Sequence, residues 1–266
     1  MSLLAELLSN QHVLFAGVSK EWRNVWGERP KITQAITADT SVSQLRWSFD
    51  SGLKKGTVIC ESIAEHCGVE WAHAHDCPWD ASTCSEAAGS GRQDILQWAR
   101  SENCPWNSET CSRAAKGGHL DILQWARAHG CPWDSTTCSE AAGAGYLDVL
   151  WRARYENCPW DTRTCSKAAE GGHLEILRWA RTYGCPWDHR TCSGAAAGGH
   201  LRVLQWARAN GAIWGEDTTY WAAQGGHLEL LQWARAESCP WDPRALLIAI
   251  RRGHLETMEW MLANGC

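Results

Sequence analysis

The five residues "GCPWD" at 130–134 lie between two stretches of helical character, and nearly the same phrase returns along the chain. Cys-Pro-Trp begins at Cys77, Cys104, Cys131, Cys158, Cys185 and Cys239. A thiol beside an indole beside an acid suits metal binding, disulfide formation or redox chemistry. It equally suits punctuation in a repeated fold. The spacing decides between these. Successive starts are 27 residues apart, and the remaining multiples of 27 fall on Ala212-Ile213-Trp214 and on Cys266. Seven full units therefore run from Cys77 to Gly265 without insertion, and an unbroken internal period of this length marks a stacked repeat array.

Each slot can be read down the units. The residue before the cysteine slot is Asp76, Asn103, Gly130, Asn157, Gly184, Gly211 or Ser238. Gly and Asn tolerate the left-handed conformation that ends a helix. Proline one residue after the cysteine bars continuation of that helix. The following acid or amide (Asp80, Asn107, Asp134, Asp161, Asp188, Asp242) is a good N-cap, and a Thr three residues later is expected to support it. The phrase reads as helix stop, turn, helix start. Between these stops the sequence predicts two short helices per unit. The first reads like TCSEAA (137–142), with small residues for close approach. The second reads like HLDILQWARA (119–128), where Leu120, Ile122, Leu123, Trp125 and Ala126 form one apolar stripe. Its acid in the first turn and its arginine in the last (Arg100, Arg127, Arg154, Arg181, Arg208, Arg235) suit the helix dipole, so these arginines read as capping and solubilising groups.

Composition agrees with one motif copied many times: 266 residues contain 19 Trp against 2 Phe and 4 Tyr. A formal charge of −5 argues against a generic nucleic-acid or membrane-surface binder. MSLLAELLSN lacks the pattern of a signal peptide, and no apolar stretch is long enough to span a bilayer. The 14 cysteines are therefore expected to be reduced thiols in a cytoplasmic or nuclear setting.

The stretch TCSKAAEGGHLEIL (164–177) resembles the ankyrin repeat in its Ala-Ala pair, its Gly-His turn and its Leu-Glu-Ile-Leu helix. Ankyrin repeats run 33 residues, six more than these units, and the missing residues fall where an ankyrin repeat carries its β-hairpin finger. The resemblance covers about residues 50–266 and is similar to the degenerate ankyrin-type arrays of algae, oomycetes and large DNA viruses. It implies an all-α helical-repeat solenoid of stacked helix-turn-helix units without fingers, acting as a scaffold for protein partners. A shortened unit at 49–76 reads as an N-terminal cap, because one face of an end unit meets solvent. Residues 1–48 form a separate helical segment. Within it VLFAGVSKEWRNVW (13–26) resembles the second half of an F-box, with Leu14, Val18, Trp22 and Val25 as the apolar stripe, while the usual Leu-Pro first half is absent. That resemblance implies an alternative function, the substrate-receptor subunit of a cullin-type ubiquitin ligase. A helical pair packing on the first repeat is the other reading of the segment.

The cysteines suggest a third function, a metal- or redox-responsive array. Geometry weighs against it. Equivalent slots in stacked units are roughly 8–10 Å apart, too far for a shared zinc ion with sulfurs at about 2.3 Å or for a disulfide, whose Cα atoms lie within about 7 Å. Cysteines of one unit, such as Cys77 and Cys84, can approach each other, but two thiols do not make a structural zinc site. Ala212, Thr219 and Leu246 stand in cysteine slots. Cysteine therefore reads as a small buried hydrophobe, with no metal or cofactor expected. The histidines of the Gly-His turn read as backbone hydrogen-bonders. No phosphate loop, nucleophile elbow or HExxH is present, and the chain reads as non-enzymatic.

Partner binding is expected where slots vary on a constant frame, on the first helix and its turn, the concave face by ankyrin analogy. One such slot holds Arg163, Arg190, Asp217 and Arg244; another holds Lys167 and Trp221. Tyr220 and Trp221 are large aromatics where other units have Ser and a charge. The expected hot spot is Tyr220 and Trp221 with Arg190 and Arg244, supported by Arg163 and Lys167. Two irregularities stand out. Trp151-Arg152 replaces Gln-Trp in the third unit, which turns the indole by about 100°. Leu246-Leu247-Ile248 in the seventh unit suggests docking on a partner or on another copy.

Overall fold

The computed structural model describes residues 80–215 and 217–266. The expectations for residues 1–48, including Leu14, Val18 and Trp22, and for the shortened unit at 49–76 lie outside the described residues.

Among the described residues the chain forms helices in pairs and no strand. The pairs are α1 (Ala81–Gly89) and α2 (Gln93–Ser101), α3 (Ser108–Gly117) and α4 (Leu120–Ala128), α5 (Ser135–Ala144) and α6 (Leu147–Tyr155), α7 (Thr162–Glu170) and α8 (Leu174–Thr182), α9 (His189–Ala197) and α10 (Leu201–Ala209), α11 (Asp217–Gly225) and α12 (Leu228–Ala236), and α13 (Ala245–Arg252) and α14 (Leu255–Ala263). The described residues belong to two compact bodies, one holding 80–87 and 92–106, the other holding 88–91 and the remainder from 107.

The boundaries follow from the expected stop and start residues. Gly130, Gly184 and Gly211 have φ of 85°, 81° and 88°, and Asn103, Asn157 and Ser238 adopt 63°, 61° and 65° in the same slot. The side chains of Asn107, Asp134, Asp161 and Asp188 each accept the backbone N–H two residues on, which caps the next helix. The threonines behave differently from expectation. The hydroxyls of Thr110, Thr137 and Thr191 are buried without a hydrogen-bond partner, so these residues pack rather than support the cap.

Within the second body, each first helix packs on the first helix of the next unit, in the order α3, α5, α7, α9, α11, α13, and each second helix packs on the first helix of its own unit. The result is an all-α solenoid. Its core repeats as well: Ile122, Leu123 and Ala126 are buried in α4, and Ile176, Leu177 and Ala180 in α8. Leu120 and Trp125 are only half-buried, so the buried stripe is narrower than the sequence pattern suggests. The paired alanines of the first helices, such as Ala141 and Ala142, are fully buried, and a larger side chain there would hold neighbouring helices apart.

Candidate functional site

The turns are built on one plan, and the plan accounts for the arginine slot. Arg127 of α4 donates from Nη1 to the Cys131 carbonyl at 2.6 Å, while its guanidinium carbon lies 4.1 Å from the Trp133 ring centroid. Arg100, Arg154, Arg181, Arg208 and Arg235 repeat both contacts, on Cys104, Cys158, Cys185, Ala212 and Cys239 and over Trp106, Trp160, Trp187, Trp214 and Trp241. The arginine of one unit thus clamps the turn of the next. The other side of the indole meets the second-helix tryptophan of its own unit, as in Trp160–Trp179 at 5.9 Å and Trp187–Trp206 at 6.1 Å between centroids. In the third unit Arg152 occupies that tryptophan slot. The displaced Trp151 is 50% exposed and stacks on Tyr155 at 5.4 Å.

The histidines also bridge units. The Nε2 atoms of His119, His173, His227 and His254 lie 3.1, 3.2, 3.2 and 3.0 Å from the carbonyl oxygens of Gly89, Gly143, Ala197 and Gln224. A carbonyl only accepts, so each ring is the donor. Among the described residues no group of three or more His, Cys, Asp or Glu side chains is placed to hold a metal ion.

The cysteines need a correction. The turn thiols of Cys104, Cys131, Cys158 and Cys185 donate to the carbonyls of Asp80, Asn107, Asp134 and Asp161 at 3.3–3.5 Å. They act as weak donors as well as hydrophobes. The thiol contacts also run between units rather than within one: Cys111 meets Cys131, Cys138 meets Cys158, and Cys165 meets Cys185. The partner thiol and burial push Cys111, Cys158 and Cys165 well above the ordinary thiol range. Burial, opposed by the Arg208 charge and aided by the Asp217 charge, pushes Cys192 up to about 12.

The sixth unit breaks the pattern. Ala212 and Ile213 replace Cys-Pro, and Gly215 occupies the N-cap slot with no side chain to cap α11. Thr219 fills the first-helix cysteine slot, where its hydroxyl accepts from the Asp242 N–H at 2.8 Å and lies 3.2 Å from the Pro240 carbonyl. An open groove of about 430 Å³ lies beside this turn, bordered by His189, Ile213, Trp214, Gly215, Asp217, Asp242 and Arg244.

Tyr220 and Trp221 stand beside this groove, edge to face at 5.3 Å. Trp221 is 37% exposed, and its Nε1 donates to Asp217 Oδ2 at 3.3 Å. Arg244 lies 4.9 Å over the Tyr220 ring while its Nη2 and Nε donate to Asp242 at 2.7 and 3.0 Å. The Arg244 side chain, and with it the two charge-assisted bonds, holds the Asp242 carboxyl below its ordinary range. The structure therefore brings Tyr220, Trp221 and Arg244 together. Arg190 is exposed one unit away, and its guanidinium has no partner among the described residues. Arg163 is bound to Asp161 at 2.8 Å and to Ser135 at 2.8 Å, and Lys167 to Glu170 at 2.9 Å.

No family model and no curated protein matches the chain. Among solved structures it is similar to the crystal structure of the human ASB11 ankyrin repeat domain. The TM-score is 0.47 at 16% identity, over 62% of this chain and 90% of that one. The fold is established by the helix stack itself and not by this likeness.

The variable slot of Lys167, held by Arg113 and Glu140 in the second and third units, faces across the seam a further variable slot held by Gly89, Lys116 and Gly143. A side chain added at Gly89 would meet Arg113, and one added at Gly143 would meet Lys167, while Lys116 reaches Glu140 at 3.9 Å. Part of the variation therefore matches small to large, or positive to negative, between neighbouring units. Sequence reading found the aromatic pair and missed the groove, although Gly215 in a capping slot was its visible sign.

Proposed function

We propose that the array is a protein-binding scaffold rather than an enzyme, and that it engages its partner on the first-helix face of the sixth unit and its neighbours. The observation that carries this reading is the partly exposed Tyr220–Trp221 pair, with Arg244 over it, beside the groove. Tyr and Trp at a pocket edge supply large contact area at small entropic cost, and Arg joins them among the residues enriched at binding hot spots. Elsewhere the first-helix face carries mainly short or ion-paired residues, which form a neutral surround. Arg190 is the adjacent cation available to an acidic group on the partner. No helix among the described residues is long and apolar enough to cross a membrane.

The test is affinity capture with the full chain, its Tyr220→Ala/Trp221→Ala variant and a Trp151→Gln variant, followed by mass spectrometry and thermal melting. Partners lost from the double variant and kept by Trp151→Gln, with melting unchanged, support the reading. An unchanged set of partners, or a lowered melting point in the double variant, refutes it and assigns the rings to packing.

The terminal unit exposes Leu247, Ile250, Leu255 and Leu262, each by half or more. Ile250 stands in the slot of the fully buried Ala223, a position covered by the next unit elsewhere. Self-association through this face predicts a concentration-dependent mass in sedimentation, abolished by Leu247→Glu/Ile250→Glu.

A further inference from the structure

The last helix pair departs from the other units in the slots that join one unit to the next. The Ile250 slot holds Ala115, Ala142, Ala169, Ala196 and Ala223 where a following unit covers it, and each of these is fully buried. Ile250 itself is 50% exposed. A branched side chain there would hold a following first helix out of the spacing that the alanines set. Leu247 replaces the serine of the first five units and is also 50% exposed. Leu262 takes the slot of the clamp arginines, so no guanidinium stands ready for the carbonyl of a following turn. The terminal face is therefore apolar, yet it lacks the groups by which one unit holds the next. A head-to-tail contact that copies the internal seam would need those groups.

The charges on this face indicate what covers it. Arg251 lies in the slot from which Lys116 reaches Glu140 of the next unit. Glu259 lies in the slot from which Arg178 reaches the Trp206 ring of the next unit. Both slots project forward along the stack, and both residues are exposed. The cation sits on α13 and the acid on α14, and the Gly253-His254 turn sets the last turn of α13 level with the first turns of α14. A two-fold axis running between these helices and parallel to them lays α13 of one copy on α14 of the other. It brings Arg251 within about 5 Å, one helical turn, of the height of Glu259 in the second copy, and it does so twice. The same operation sets Leu247 towards Leu262 and Ile250 towards Leu255. An isologous contact requires a face that complements itself, and both the apolar and the charged residues meet that requirement. We propose that the terminal face joins two copies of this chain about such an axis, α13 and α14 of each packing on α14 and α13 of the other. The arrangement presupposes the self-association stated above and fixes its symmetry.

Sedimentation of the purified full chain should show a mass that rises with concentration from 29.6 kDa to twice that value and stops there. Arg251→Glu and Glu259→Arg each set like charges against each other twice per dimer, and each should weaken the dimer by about tenfold or more. An equimolar mixture of the two variants should dimerise as the parent does, because the mixed pair restores both opposite-charge contacts. Recovery in the mixture also shows that each variant is folded. A chain that stays monomeric, or that associates no less after Leu247→Glu/Ile250→Glu, would overturn self-association through this face and the proposal with it. A mass that grows past two copies, charge variants that dimerise like the parent, or a mixture no better than its components would overturn the two-fold arrangement alone.

Discussion

Gly117 closes α3 with ordinary helical backbone, so its lack of a side chain serves a contact and not a conformation. A Cβ placed there would stand 2.7 Å from the Gly89 carbonyl oxygen and 2.5 Å from His119 Cδ2, where ordinary contact begins at 3.4 Å. The seam would have to open by about 0.7 Å at the carbonyl, the difference between 3.4 and 2.7 Å. The same carbonyl accepts His119 Nε2 at 3.1 Å, so the displaced ring also loses its bond. On chain entropy alone Gly→Ala would stabilise by about 0.4–1 kcal/mol. Overpacking at the seam costs about 1–3 kcal/mol, and a lost hydrogen bond costs about 0.5–1.5 kcal/mol more. Gly117→Ala should therefore destabilise by roughly 1–3 kcal/mol, read as a lowered midpoint in urea unfolding. The comparison is Gly130, where φ is 85° and no atom lies within 4 Å of an added Cβ. There the cost is conformational, and Gly130→Asn should recover most of what Gly130→Ala loses, as Asn103 already holds the slot. Asn at 117 should recover nothing. A Gly117→Ala protein as stable as the parent, or Asn rescue at both sites, would refute the packing argument.

Arg181→Ala should cost about 1–2 kcal/mol, from one hydrogen bond to the Cys185 carbonyl and one cation–π contact on Trp187. Arg181→Lys should recover less than half, because an ammonium does not bond and stack in one plane; denaturant unfolding measures both. Trp151→Gln should change stability by less than about 0.5 kcal/mol while Trp179→Gln costs more, since only the latter ring packs on a turn indole. Asp242, whose carboxyl is depressed by Arg244, contributes stability above the ordinary carboxyl range and loses it as pH falls through the lower folded value. The gap between parent and Asp242→Asn should therefore be full at pH 7 and close below about pH 4, in thermal melts across that range.

The period, helix pairs and caps were legible because they are local. A proline, a left-handed Gly or Asn and an N-cap Asp act within five residues of one another. The contacts that unite the units were not legible by reading down a column, since residues in one column need not touch. His119 meets Gly89, 30 residues back; Cys131 donates to Asn107, 24 back; Cys138 finds Cys158, 20 on. Each joins two different slots of adjacent units, and only the stack supplies those offsets. The displacement of the Trp151 indole was legible from a one-residue shift on a helix, while its exposure is seen only in the fold. The groove was not legible, because its border is assembled from three units, with His189 from the fifth, Ile213, Trp214, Gly215 and Asp217 from the sixth and Asp242 and Arg244 from the seventh, and only the stack brings these together.

The arginine clamp has a consequence for how the array comes apart. Each clamp arginine (Arg100, Arg127, Arg154, Arg181, Arg208 and Arg235) bonds a carbonyl and covers a ring that lie beyond the next stop residue, so no segment cut at the stops is self-sufficient. Loosening one unit strips a polar partner from the unit before it, while the histidine bridge strips one in the same direction. Unfolding should accordingly advance as a fraying front from the ends, with amide exchange slowest in the middle units and rising stepwise outward. A deletion should be borne only in whole multiples of 27 residues, at whatever point in the period it begins.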